Sequence, residues 1–183
     1  MTVRLLLLLS LLLTGCGYRF GSGALVDSYR TISVPYVQGD EDGELTAALV
    51  RQLSATGQLT YCRYGGDLTL NVCILRRYDN DVGFRYDRKD CGQLTNSVIP
   101  TETRLTLVAQ VSVVENNTCC QLIGPIVLKA SVDFDHDYYS SRNAVNVFSL
   151  GQLTDIEAAV DAVRRPLNEK LAKKIVDYIT ETW

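Results

Sequence analysis

Two runs of strict alternation constrain this chain more than any other feature. Leu105, Leu107, Ala109, Val111 and Val113 form the first, and Ile126, Leu128, Ala130, Val132 and Phe134 the second. A period of two places these side chains on one face of a pleated strand, so the chain must build a sheet with one apolar face and find something to cover it. The connection from Glu115 to Pro125 contains Asn116-Asn117 and Gly124-Pro125, which suits an antiparallel hairpin somewhat longer than the tightest kind.

Shorter signals fill in the rest. Ile32, Val34 and Tyr36 alternate within an expected first strand of about Tyr29 to Val37, with Pro35 placing it at an edge or near a strand end. Leu45, Ala48, Leu49 and Leu53 recur at helical spacing, predicting a helix from Gly43 to Ala55 with Asp42 as N-cap and Gly57 as stop. Leu68, Leu70, Val72 and Ile74 give another strand, followed by a polar stretch from Arg76 to Pro100. At the C-terminal end Thr154 and Glu157 form a capping box, and Ile156, Val160, Val163, Leu167, Leu171, Ile175 and Ile179 follow at steps of three and four. Lys170, Lys173 and Lys174 suit the negative end of the helix dipole, while Pro166 predicts a kink or a two-segment helix near Val163. The expected architecture is α+β: a two-layer sandwich, two helices on one face of a four-stranded, mainly antiparallel sheet, in the order β-α-β-β-β-α.

The N-terminus carries a different kind of signal. Arg4 precedes an apolar run from Leu5 to Leu13, too short to span a bilayer, and Leu13-Thr14-Gly15-Cys16 matches the bacterial lipobox. Residues 1–15 are therefore expected to be removed as a lipoprotein signal peptide, leaving Cys16 as the lipidated first residue. Two or three acyl chains make a stable anchor where one is marginal. Gly17 in place of an Asp favours the outer membrane, facing the periplasm. Removing residues 1–15, which hold one basic and no acidic residue, takes the 183-residue chain from a formal charge of -3 to 168 residues at -4. Residues 16–28 are expected to be a Gly-containing tether, and residues 29–183 one domain.

With 18 basic and 21 acidic residues spread along the sequence, no concentrated basic face supports nucleic-acid binding. Of six cysteines the lipid claims Cys16, leaving Cys62, Cys73, Cys91, Cys119 and Cys120, an odd number in a compartment that permits disulfides. At least one of the adjacent pair, Cys119 and Cys120, is expected to reach another cysteine, with connectivity open. No CxxC supports a redox motif or zinc ribbon. Asp133, Asp135, His136 and Asp137 suggest a cation loop, but Tyr138 and Ala144 stand where an EF-hand needs Gly and Glu. Neither a cofactor nor a metal is implied, and Ser140-Ser141 lack a nucleophile context, so an enzyme is disfavoured.

Taken together, Cys16-Gly17-Tyr18-Arg19-Phe20 after the lipobox, the strand Thr31-Ile32-Ser33-Val34-Pro35, the helix from Leu45 to Leu53, Asp67-Leu68-Thr69-Leu70, and a last helix ending at Trp183 resemble the lipopolysaccharide-assembly lipoprotein family LptE, also called RlpB. The resemblance implies a non-enzymatic outer-membrane lipoprotein of a Gram-negative-type bacterium. Such proteins sit in the lumen of an LptD-type barrel, assist its assembly, and take part in delivering lipopolysaccharide. A polar sheet face formed by Thr106, Gln110, Ser112, Lys129, Ser131 and Asp133 would suit a polar barrel lumen.

The run Arg76 to Lys89 clusters cations with aromatics. Arg76, Arg77, Arg85, Arg88 and Lys89 are candidate contacts for lipopolysaccharide phosphates, with Tyr or Phe against apolar parts. Four carboxylates, at Asp79, Asp81, Asp87 and Asp90, offset them, which equally suits a solvated or barrel-contacting loop. The competing function is a lipid-anchored auxiliary component of an ABC-type lipid transport system, acting as a lipid carrier with an enclosed apolar cavity.

Overall fold

The computed structural model describes residues 23–89, 91–136 and 156–181. Cys16, Asp90 and the capping residue Thr154 lie outside them. The elements are α1 (Ala24–Ser28), β1 (Thr31–Ser33), α2 (Glu44–Thr56), β2 (Thr60–Cys62), β3 (Leu68–Arg88), β4 (Leu94–Glu115), β5 (Gln121–Asp135) and α3 (Ile156–Glu181).

The architecture is α+β, but the sheet has five strands, not four, in the order β2-β1-β3-β4-β5. β1 runs parallel to both β2 and β3, whereas β3, β4 and β5 form an antiparallel meander, so the sheet is mixed. β2 escapes the sequence pattern because three residues are too few to show an alternation. β1 is also shorter than the expected Tyr29 to Val37. Asp67 fastens its start: one carboxylate oxygen accepts hydrogen bonds from the Arg30 and Thr31 amides (3.1 and 3.0 Å) and the Thr31 hydroxyl (2.8 Å). These bonds, led by the Thr31 hydroxyl, hold the Asp67 carboxyl below its ordinary value.

The alternating runs lie as read. Leu107 pairs with Ala130 and Leu70, through Val113, sits in the same buried face, where all five are less than a tenth exposed when Leu105 is counted with them. The facing layer comes from α2, through Leu45, Ala48, Leu49 and Leu53, and from α3, through Leu167, Leu171, Ile175 and Ile179. A buried amide links the two helices, Asn168 donating to the Glu44 carboxylate at 2.8 Å. Burial on α3 is concentrated beyond Pro166; Ile156 is exposed, and Val160 and Val163 are half-buried. The helix nevertheless runs as one element through Pro166 rather than as two segments.

Three further expectations change. The N-terminal lead-in is shorter than residues 16–28, because Leu25 and Val26 of α1 join the core and the Gly23 amide donates to the Thr180 carbonyl at 2.8 Å. Asp42 does not cap α2. Gly43 occupies the cap position with φ +70°, and the buried carboxylate of Asp40 reaches over it to accept from the amides of Leu45 (3.3 Å) and Thr46 (2.8 Å) and the Thr46 hydroxyl (2.7 Å). No described cysteine is bridged: Cys62, Cys73, Cys91, Cys119 and Cys120 are all free thiols.

The largest departure lies in the polar stretch from Arg76 to Pro100, expected as a connection. β3 continues through it to Arg88 and β4 begins at Leu94, making a hairpin of 21- and 22-residue strands. β5 pairs with β4 only as far as Glu102, so residues from Phe84 to Pro100 form a two-stranded arm without a third neighbour. Of such an arm only Ile99 is buried among the described residues, which removes the alternation by which strands are recognised. Aromatic and β-branched residues, among them Tyr78, Val82, Phe84, Tyr86, Thr95 and Val98, still favour extended backbone. Register shifts at Ile74/Arg76, Asp81/Gly83, Gly83/Phe84 and Tyr86/Arg88 break the face pattern further.

Candidate functional site

Two exposed surfaces combine charge with polar or aromatic groups. The first is the arm. Phe84 pairs with Pro100 and Tyr86 with Val98, and cross-strand partners share a face. Phe84, Tyr86, Val98 and Leu94 are each more than half exposed. Arg85 and Arg88 lie on the same arm, and Lys89 closes its turn through backbone bonds with Gln93 and Gly92. Arg76 and Arg77 lie below it, in the three-stranded part of the sheet, where the Arg76 guanidinium sits 4.9 Å from the centroid of the Tyr78 ring. An extended strand rises about 3.3 Å per residue, so Arg76 and Arg88 are about 40 Å apart. The five candidate cations are therefore not one cluster. They form a basal pair and a distal trio.

A polar relay that runs from exposed Asp81 to buried Thr103 and His136 lies at the foot of the arm. Thr103 has a single hydroxyl hydrogen, and the Asp81 carboxylate, an acceptor only, takes it at 2.9 Å. The Thr103 oxygen must then accept from the Nε2–H of His136, also at 2.9 Å. His136, which stands among Asp133, Asp135 and Asp137 in the sequence, is itself buried and tilted against Phe134. Among the described residues no group of His, Cys, Asp and Glu is arranged to hold a metal ion.

The second surface was not legible as a site. Two cross-strand rows, Asn80–Arg104–Asp133 and Tyr78–Thr106–Ser131, run directly across β3, β4 and β5. All of these but Asp133, together with Lys129 and with Lys170, Lys173, Lys174 and Asp177 of α3, border a groove of about 580 Å³. The lysines of α3 lie too far from its end at Glu181 to serve the helix dipole, which acts within the last turn. Instead Lys170 donates to the Ser131 carbonyl (2.8 Å) and Lys174 to the Lys129 carbonyl (3.2 Å), capping the open edge of β5. Arg104 forks onto Asp133 at 2.6 and 2.8 Å, which lowers the Asp133 carboxyl below its ordinary value and raises the guanidinium. Lys173 is raised by its bond to Asp177 at 2.5 Å. Of the expected polar face, Lys129 and Asp133 are exposed, Gln110, Ser112 and Ser131 half-buried, and Thr106 buried.

A helix pair on one face of a mixed sheet, a projecting arm and a cation-bordered groove define a domain of α+β sandwich type. The sequence places it more closely. The LptE family model, described as lipopolysaccharide-assembly, matches residues 29–179, and the chain belongs to that family. No curated protein matches the sequence. Among solved structures it is similar to a minor lipoprotein from Acinetobacter baumannii (14% identity, 82% of this chain and 92% of the other, TM-score 0.48). It is also similar to rare lipoprotein B from Shewanella oneidensis (14% identity, 82% and 93%, TM-score 0.45) and to lipoprotein B from Nitrosomonas europaea (12% identity, 90% and 88%, TM-score 0.42).

Proposed function

We propose that this chain is an outer-membrane lipoprotein, anchored through Cys16 on the periplasmic side, that assists assembly of an LptD-type barrel, plugs its lumen, and acts there in delivering lipopolysaccharide. Family membership supports the lipopolysaccharide-assembly role, and the observation that carries the finer reading is the arm. A narrow two-stranded projection with exposed Phe84, Tyr86 and Val98 and with Arg85, Arg88 and Lys89 can enter a lumen that the helix-backed body need not enter. Its mixture of aromatic and cationic groups suits an amphiphile with phosphates, so the distal trio, with Arg76 and Arg77 below the arm, is assigned to lipopolysaccharide contact.

The anchor fits this arrangement. Residues 1–15 are removed in this reading, and the seven residue steps from Cys16 to Gly23 reach at most about 25 Å, which keeps the body close to the membrane. The role is non-enzymatic. A lipid carrier of an ABC-type system would need an enclosed apolar cavity, whereas the groove found here is bordered by charge. Depleting the protein should reduce lipopolysaccharide at the cell surface, measured by surface labelling of intact cells; normal surface levels after complete loss would remove the export role. Replacing Arg76, Arg77, Arg85, Arg88 and Lys89 together by Ala should weaken binding of purified protein to lipopolysaccharide, and unchanged binding would remove their assignment.

A further inference from the structure

Free thiols at Cys62, Cys73, Cys91, Cys119 and Cys120 stand in a chain expected to face a compartment that forms disulfides. The sheet register decides which of them can bridge, since a disulfide needs Cα atoms about 4.4–6.8 Å apart. Cys62 lies opposite Ser33, whose other neighbour, Thr69, comes four residues before Cys73. Two strand spacings and four extended residues therefore separate Cys62 from Cys73, about 16 Å. Gln121 is opposite Val114, which is opposite Thr69, so Cys120 stands four strands from Cys62, about 19 Å. The Glu115 amide donates to the Cys120 carbonyl at 2.9 Å, and Glu115 is five residues along β4 from Gln110, the partner of Cys73, again about 16 Å. Cys91 lies in the turn of the arm, and the strand from Cys73 to Arg88 alone keeps these two about 50 Å apart. Only Cys119 and Cys120 are neighbours, and their trans peptide holds consecutive Cα atoms about 3.8 Å apart, short of the disulfide range. No bridge of ordinary geometry within the chain is open to any described cysteine.

The turn that carries Cys119 and Cys120 is distinctive in three ways. Both of its thiols are exposed, whereas Cys62 and Cys73 are half-buried. Cys119 has φ +56°, the one positive φ outside glycine among the described residues, so a side chain stands where a glycine would rest more easily. The turn also sits at the pole from which the tether leaves. Lys170 reaches the Ser131 carbonyl and Lys174 the Lys129 carbonyl, so α3 runs antiparallel to β5. Thr180, which accepts from the Gly23 amide, therefore lies toward the start of β5. Two copies anchored through their tethers present this turn at the same height above one membrane, and confinement to a plane raises their effective concentration. Asn116-Asn117-Thr118-Cys119-Cys120 carries no charge that would repel its own copy. We propose that the Cys119–Cys120 turn is an oxidation site that joins two copies of this chain by a disulfide, leaving the arm, at the other end of β4, free for the barrel. One thiolate attacks a disulfide oxidant of the periplasm and displaces one of its sulfurs as a thiol; the thiolate of the second copy then attacks the mixed disulfide and displaces the other. Two thiols become one S–S bond, and the oxidant is reduced to two thiols that carry away both protons. The inference rests on the proposed anchor for its compartment and its shared plane.

The test quenches intact cells producing the full chain with N-ethylmaleimide, which caps free thiols, then runs their membranes on non-reducing gels and maps linked peptides by mass spectrometry. A reductant-sensitive species of twice the monomer mass should appear, its linked peptides carrying Cys119 or Cys120 from both copies. Cys119→Gly/Cys120→Ser should lose that species while melting, under reducing conditions, at or above the wild-type temperature, because glycine adopts a φ of +56° without steric cost. Cys91→Ser should retain it. Persistence of the dimer in the turn variant, its loss in Cys91→Ser, maleimide on both turn thiols of every wild-type chain, a Cys119–Cys120 bridge within one chain, or a disulfide to a different protein would each overturn the proposal. An unacylated Cys16 in the dimer would end the anchor reading and leave the interchain disulfide standing, whereas an acylated Cys16 with both turn thiols reduced would do the reverse.

Discussion

Asp40→Ala should cost the fold about 2–3 kcal/mol, and Asp42→Ala less than about 0.5 kcal/mol, although Asp42 stands nearer the start of α2. The Asp40 carboxylate is 4% exposed and accepts the Thr46 amide and hydroxyl at 2.8 and 2.7 Å, with a longer bond from the Leu45 amide. Loss of a helix cap alone costs about 0.5–2 kcal/mol, and leaving partly buried donors unpaired adds about 1–3 kcal/mol. The contributions share atoms and do not add fully. Relief of the buried carboxylate's own desolvation offsets part of them, which gives the lower figure. For a domain of this size that is about 4–12 °C in melting temperature. Asp42, by contrast, is exposed and pairs with Arg164 at 3.2 Å, a surface contact worth about 0–1 kcal/mol. Urea and thermal unfolding of both variants, with Asp40→Asn as a partial rescue that keeps an acceptor in place, provide the measurement. Equal costs for the two alanine variants, or an Asp40→Ala midpoint within error of wild type, would refute the capping argument.

Other consequences are equally direct. Leu171→Ala, at a fully buried position of α3, should cost about 2–5 kcal/mol in urea unfolding, and a smaller loss would mean that α3 is not packed on the sheet as described. Phe84→Ser/Tyr86→Ser, on the exposed arm, should change stability by less than about 0.5 kcal/mol while reducing recovery of the barrel partner; unaltered recovery would take the arm out of the interface. Asp67 and Asp133 both have depressed carboxyls, so their stabilisation is present above the ordinary carboxylate range near pH 4 and is lost as pH falls through their lower folded values. Acid unfolding of Asp67→Asn should accordingly show a flatter dependence below about pH 4 than wild type; an identical slope would discount the Thr31 and Arg30 bonds.

How much of this was legible depended on whether a residue faced a core. Leu45, Ala48, Leu49 and Leu53 announced α2 to within a residue because one stripe of that helix is buried. Leu105 to Val113 announced β4 for the same reason, but only over the part that α3 covers. From Phe84 to Pro100 the strands pair with each other alone, and with little beyond Ile99 to bury they lose the period that would mark them. Composition did mark this stretch as cationic and aromatic. What it could not show is that an extended backbone would spread Arg76 and Arg88 so far apart. The cap of α2 was misplaced because the turn at Gly43 folds Asp40 over the helix start from one turn away. The groove joins residues as distant as Asn80, Lys129 and Lys174, which only the cross-strand register and the packing of α3 bring together. A helical spacing of Lys170, Lys173 and Lys174 was its one sequence trace.

The central claim is a lipid-anchored subunit seated in an export barrel, and affinity isolation from gently solubilised membranes tests it most directly. The full chain, purified through a C-terminal tag and analysed by mass spectrometry, should bring down a large outer-membrane β-barrel in stoichiometric amount, and its own N-terminal peptide should begin at an acylated Cys16. Recovery of an ATPase and permease in place of a barrel, or of the chain alone with an unmodified Cys16, would contradict it.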